Sequence, residues 1–123
     1  MTNSLLTIGA LALAQVVSFA AVPLVNHGDT WRYHKGTNAP QAGWQTISNA
    51  SLDATWATGP GGFGYGDAGI VGEATTLGDM GGLYTTFNIR RTFTISSAVD
   101  TNLHLQLTID YDDGFDAIWT ARN

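Results

Sequence analysis

Residues 103–111, "LHLQLTIDY", alternate without a fault: Leu103, Leu105, Leu107, Ile109 and Tyr111 on one side, His104, Gln106, Thr108 and Asp110 on the other. A period of two is the repeat of a half-buried strand and not of a helix. The segment "LYTTFNIRRTFTI" (83–95) carries the same period, with Phe87, Ile89, Arg91, Phe93 and Ile95 opposed to Thr86, Asn88, Arg90, Thr92 and Thr94. A shorter strand is expected in "TWRYHKG" (30–36), where Trp31 and Tyr33 oppose Arg32 and His34. Beyond residue 20 no stretch shows a convincing 3.6-residue period. The expectation is one all-β domain, a β-sandwich with one wet face per sheet.

Glycine limits where those strands can lie. Residues 57–82 hold ten of the fifteen glycines, a density expected to defeat packed strands and to leave a long ordered loop. Within it "GYGDAG" (64–69) fits a dinucleotide-binding pattern. That pattern works only between a strand and a helix N-terminus, and the flanking "PGGF" and "IVGEATTLGDMGG" provide neither, so the match is a decoy.

The first residues belong to a different solvent. "LLTIGALALAQVVSFAA" (5–21) is apolar and uncharged, yet short of the ~20 apolar residues that cross a bilayer. Ser18 and Ala20 place small residues at the −3 and −1 positions of an export cleavage site. A signal peptide over 1–20 is expected. Residues 21–123 then form a secreted or cell-surface domain with no membrane span after cleavage.

The formal charge of −5, with only five scattered bases, excludes a nucleic-acid surface. The absence of cysteine excludes disulfides, thiolate zinc sites and a Cys nucleophile. Asp110, Asp112, Asp113 and Asp116 can gather oxygen ligands for a structural calcium, but adjacent Asp112 and Asp113 alternate faces in an extended chain. A tight turn at Asp112-Asp113-Gly114 is the simpler account. A glycosidase needs two carboxylates across a cleft, and Glu73, the sole glutamate, sits in the glycine-rich segment. No catalytic residue is assigned, and no enzyme is expected. His27, His34 and His104 are expected at the surface. Arg91, on the apolar side of its strand, needs an acidic partner. Trp44, Trp56, Phe63 and Tyr65 can build a sugar-stacking platform or, for the two tryptophans above all, a packed core; Trp44, Phe63 and Tyr65 are the candidate ligand-binding residues.

Taken in order, "WRY", "LDATWATGPGGFGYG", "LYTTFNIRRTFTI" and "IDYDDGF" resemble the jelly-roll, galactose-binding-like modules of large exported bacterial proteins. The resemblance covers about residues 30–115. Asp53 and Trp56 match the family's "D-x-x-W", Gly64–Gly66 its "G-Y-G", Arg91 its strand arginine, and Asp112–Gly114 the corner of its hairpin. The resemblance implies a non-catalytic accessory module, similar to carbohydrate-binding modules, joined to other domains and taking a polysaccharide or cell-surface glycan. An alternative is the N-terminal accessory fragment of an extracellular hydrolase or phosphoesterase, and a third is a purely structural surface element. After Phe115 the chain reads "DAIWTARN", where the family continues with a "Y-L-N-G" hairpin and further strands, so the jelly roll is expected to lack its C-terminal strands. Read two nucleotides on, codons for Ile118–Asn123 can encode Leu-Asp-Gly-Gln-Glu, a hairpin of the family's kind. A frameshift between the Phe115 and Ile118 codons is the expectation that follows.

Overall fold

The computed structural model describes residues 21–65, 73–95 and 104–121. The expected signal peptide, most of the "GYGDAG" motif and the start of the alternating run at Leu103 lie outside them. Strands carry the described fold, and a single 3-10 turn, Asn49–Ser51, is its only helical piece. The all-β expectation holds at that level.

Strand β1, Thr30–Lys35, is the centre of a three-stranded sheet. It pairs antiparallel with β2, Ala57–Pro60, in the register Trp31↔Gly59 and Arg32↔Thr58, and with β5, Phe87–Arg90, in the register Arg32↔Arg90 and Tyr33↔Ile89. Two short strands, β3 (Phe63–Gly64) and β4 (Thr75–Thr76), form a separate parallel pair. Side chains opposite each other in register share a face. Trp31, Tyr33, Lys35, Phe87 and Ile89 therefore lie on one face, and Thr30, Arg32, His34, Thr58, Asn88 and Arg90 on the other.

Each face has its own cover. Over the Tyr33 face, Phe63 of β3 sets its ring 5.4 Å from Tyr33 and 5.7 Å from Phe87. The β3–β4 segment is tied down by backbone bonds from Ala74 and Thr75 N–H to Gly62 O (2.7 and 2.9 Å) and from Leu77 N–H to Gly64 O (2.7 Å). Leu77 is almost fully enclosed. Over the His34 face the loop 36–56 folds back, with Trp56 5.4 Å from His34 and Trp44 5.2 Å from Trp56.

Four expectations are corrected here. The glycine-rich segment is not one loop but contains β2, β3 and β4, because glycine permits close approach. A Cβ at Gly59 would meet Thr75 Oγ1 at 2.5 Å, and one at Gly64 would meet Glu73 Cδ at 2.7 Å. His34 is 1% exposed and not a surface residue, because Trp56 covers what strand alternation assigns to solvent. The strand expected over 83–95 is regular only at Phe87–Arg90. Residues 104–111 form no strand among the described residues and are exposed throughout, Leu105, Leu107, Ile109 and Tyr111 included. Alternation creates a face that can be buried, but a strand also needs a hydrogen-bonding neighbour, and no described segment lies against this one as a strand.

Candidate functional site

Asp53 and Trp56 show how the loop reaches the sheet. The Asp53 carboxylate accepts from the Thr55 hydroxyl and from Thr55 N–H (2.9 Å), and Trp56 N–H returns to Asp53 O at 3.2 Å. This closed turn is what the "D-x-x-W" spacing does: an acid at the first position fixes the backbone that drops the indole onto His34. The Thr55 hydroxyl, then the Thr55 N–H, hold the Asp53 carboxyl below its usual range. Gln41 braces the turn from outside, accepting from Asp53 N–H at 2.8 Å and donating to Ser51 O at 3.0 Å.

Two arginines adjacent in sequence go opposite ways. Arg91 meets Asp29 at 3.0 Å and also donates to Thr30 O, so the acidic partner expected for it exists. The more buried of the two is Arg90, 8% exposed and on the side read from the sequence as solvent-facing. Its guanidinium donates to the carbonyls of Trp44 and Ile47 (2.9 Å for Ile47), holding the tryptophan loop to β5.

The candidate platform residues are not brought together. Trp44 packs on Trp56 over the His34 face, whereas Phe63 is half-buried between Tyr33 and Phe87 on the opposite face. Tyr65 is 54% exposed and lies against Gly81, where a Cβ would collide with its hydroxyl. Asp112 and Asp113 stand exposed in the C-terminal segment. Asp113 has φ 72°, and its N–H donates to Asp112 Oδ1 at 2.9 Å, the geometry of a corner. Among the described residues no group of three metal-ligating side chains gathers at these acids or elsewhere. Nor does any described helix have the length and apolarity to cross a membrane.

A site that sequence reasoning missed lies on the uncovered half of the His34 face. Beyond the tryptophan pair, a cleft of about 300 Å³ opens over Thr30, Arg32, Thr58, Arg90 and Thr92, with Asn49 of the 3-10 turn at its rim. The register explains the gathering, since Thr58, Arg32 and Arg90 are cross-strand neighbours on one side of the sheet. Arg32 donates to Thr58 Oγ1 at 2.9 Å and meets no described acid. The lining offers hydroxyls, an amide and the guanidinium groups of Arg32, Arg90 and Arg91, groups that bind polar ligands directionally. The signal available in the sequence was an arginine on the polar side of each of two strands. A second cleft of about 290 Å³ runs past His34, Lys35, Asn38 and Thr55, where the buried His34 Nδ1 makes no hydrogen bond.

On the opposite face one polar network is complete. Lys35 Nζ reaches Asp79 Oδ2 at 2.6 Å, and the Tyr84 hydroxyl donates to Asp79 Oδ1 at 2.8 Å. Hydrogen bonding from Lys35 and then Tyr84 holds the Asp79 carboxyl below its usual range. Burial, with the Asp79 carboxylate adding to it, pushes the Tyr84 phenol up to about 12. With this geometry set out, comparison with known proteins adds no relative: no protein family, curated protein or solved structure matches the chain.

Proposed function

We propose that this chain is a secreted, non-catalytic binding module of jelly-roll, galactose-binding-like type, carried by a larger exported protein and directed at a polysaccharide or cell-surface glycan. The observation that carries the reading is the open cleft over Thr30, Arg32, Thr58, Arg90 and Thr92. Its hydroxyl, amide and guanidinium lining is the chemistry that pairs with sugar hydroxyls, on a sheet face whose other half is closed by tryptophans. The exposed ring of Tyr65 gives a flat apolar surface of the kind that stacks on pyranose C–H groups. The order of the motifs from Trp31 to Gly114 supports the same reading.

A glycan array probed with the purified chain tests it, with circular dichroism confirming a folded sample. Saturable binding to a related set of saccharides is the expected result. A folded chain that retains no saccharide at millimolar concentration sinks the reading and leaves a purely structural spacer.

A further inference from the structure

Residues 104–111 have the pattern of a strand without the partner of one. Their apolar row stands in water, with Leu105 54%, Leu107 45% and Ile109 39% exposed. No backbone hydrogen bond joins the run to another described residue. The row ends where Asp113, at φ 72°, turns the chain, and the Tyr111 and Phe115 rings meet across that corner at 4.6 Å. A run of strand period with open N–H and C=O groups is a template for a second chain. An exposed apolar row beside those groups marks a surface that associates.

The order of residues in the run shows which chain that is. Laid antiparallel on a copy of itself about Leu107, it sets Gln106 opposite Thr108, Leu105 opposite Ile109 and His104 opposite Asp110. A two-fold axis at Leu107 repeats each pair. Residues directly opposite share a face, so every apolar side chain falls on one side of the ribbon and every polar one on the other. At both ends an imidazole N–H faces a carboxylate. Asp110, the only acid of the run, never meets its own copy. A slip by one residue would set Leu107 opposite Thr108 and mix the two sides. Independently of the glycan reading above, we propose that two copies of this chain associate through residues 104–110 as a two-fold antiparallel β-ribbon centred on Leu107. The paired length is that of an ordinary strand.

Sedimentation equilibrium of the full chain provides the test. A lone two-stranded ribbon is marginal in water, so a monomer–dimer equilibrium with Kd on the order of 100 μM is expected. His104, Leu107 and Asp110 are exposed, and their substitution leaves the packed part of the monomer untouched. Leu107→Lys sets two ammonium groups face to face on the two-fold axis and should weaken the dimer at least about tenfold. His104→Asp puts carboxylate opposite carboxylate at both ends and should weaken it about fivefold. The double variant His104→Asp/Asp110→His exchanges the partners and should bring Kd back to within about threefold of the original. A monomer at every concentration overturns the proposal. So does a dimer that Leu107→Lys leaves unchanged, because its contact then lies in another segment. Open-ended assembly in place of a dimer overturns the two-fold ribbon, and an exchange that fails to rescue overturns the register centred on Leu107.

Discussion

The two faces of the β2-β1-β5 sheet are covered by segments of similar irregularity and opposite chemistry. On the Tyr33 face the cover is aromatic and aliphatic, with Phe63 between Tyr33 and Phe87, and its one polar network is self-contained at Lys35, Asp79 and Tyr84. On the His34 face the cover is a pair of tryptophans laid on polar side chains, and Arg90 is buried by donating to backbone carbonyls. The cover there stops halfway, leaving the Arg32 cleft open. A polar face closed by large rings is held at few points, so its stability should rest on single residues. An apolar face covered by many smaller contacts should share the load.

Trp56→Ala is the sharpest way to break that contrast. Trp56 is 5% exposed and touches both His34 and Trp44. Its truncation removes the lid on His34 and loosens the loop that Arg90 holds, so a loss of about 3–5 kcal/mol is expected in urea denaturation. Phe63→Ala, at a half-buried ring, should cost about 2 kcal/mol. Equal losses at the two positions would show that the faces carry the fold alike.

That contrast also marks what could be read from the sequence. Strand β1 was legible because Thr30–Lys35 alternates and is bounded by Gly28 and Gly36. The core of β5 was legible for the same reason. The burial of His34 and Arg90 was not, since it depends on tryptophans delivered from a distant loop, and strand period reports only which residues share a side. The Asp53-to-Trp56 spacing held the clue, but only the closed turn shows where the indole goes. The perfect alternation of 104–111 misled in the other direction. Its described links to the body are made farther along, where Trp119 stands 5.8 Å from Phe93 and the Thr120 hydroxyl donates to Gln45 O at 3.2 Å. The cleft was invisible for a simpler reason: Arg32 and Arg90 meet only through register.

The polar network on the Tyr33 face predicts a pH signature at both ends of the range. Tyr84 titrates near 12 in the fold against about 10 in an unfolded chain. A phenol with a raised pKa stabilises the fold fully below the unfolded value and ceases to do so as pH climbs through the folded one. Thermal melting should therefore fall between about pH 10 and 12, with Tyr84→Phe flattening that limb. Asp79 works in the opposite sense. Its lowered pKa stabilises the fold above the unfolded value of about 3.9, and that contribution fades as pH drops through the folded value. Asp79→Asn should lower stability at neutral pH and flatten part of the acid limb. An alkaline limb unchanged by Tyr84→Phe would detach the network from the stability of its face.

The smallest effect is expected where the two faces meet, at Asp29 and Arg91. The pair is 3.0 Å apart, with about a quarter of each side chain in solvent. Partly exposed ion pairs contribute about 0.2–1 kcal/mol. Arg91 also donates to Thr30 O, and that bond survives the loss of the acid. Asp29, for its part, holds the turn before β1 through Asn26 N–H, which donates to its carboxylate at 2.8 Å. Asn at this position keeps an acceptor for that bond and removes only the charge. Asp29→Asn should thus cost about 0.5 kcal/mol, with most of the difference vanishing in 1 M salt. If stability falls by more than about 2 kcal/mol, the Asp29–Arg91 pair is a structural strut of the sheet edge, and the asymmetry between the faces is then set at that edge and not by what covers them.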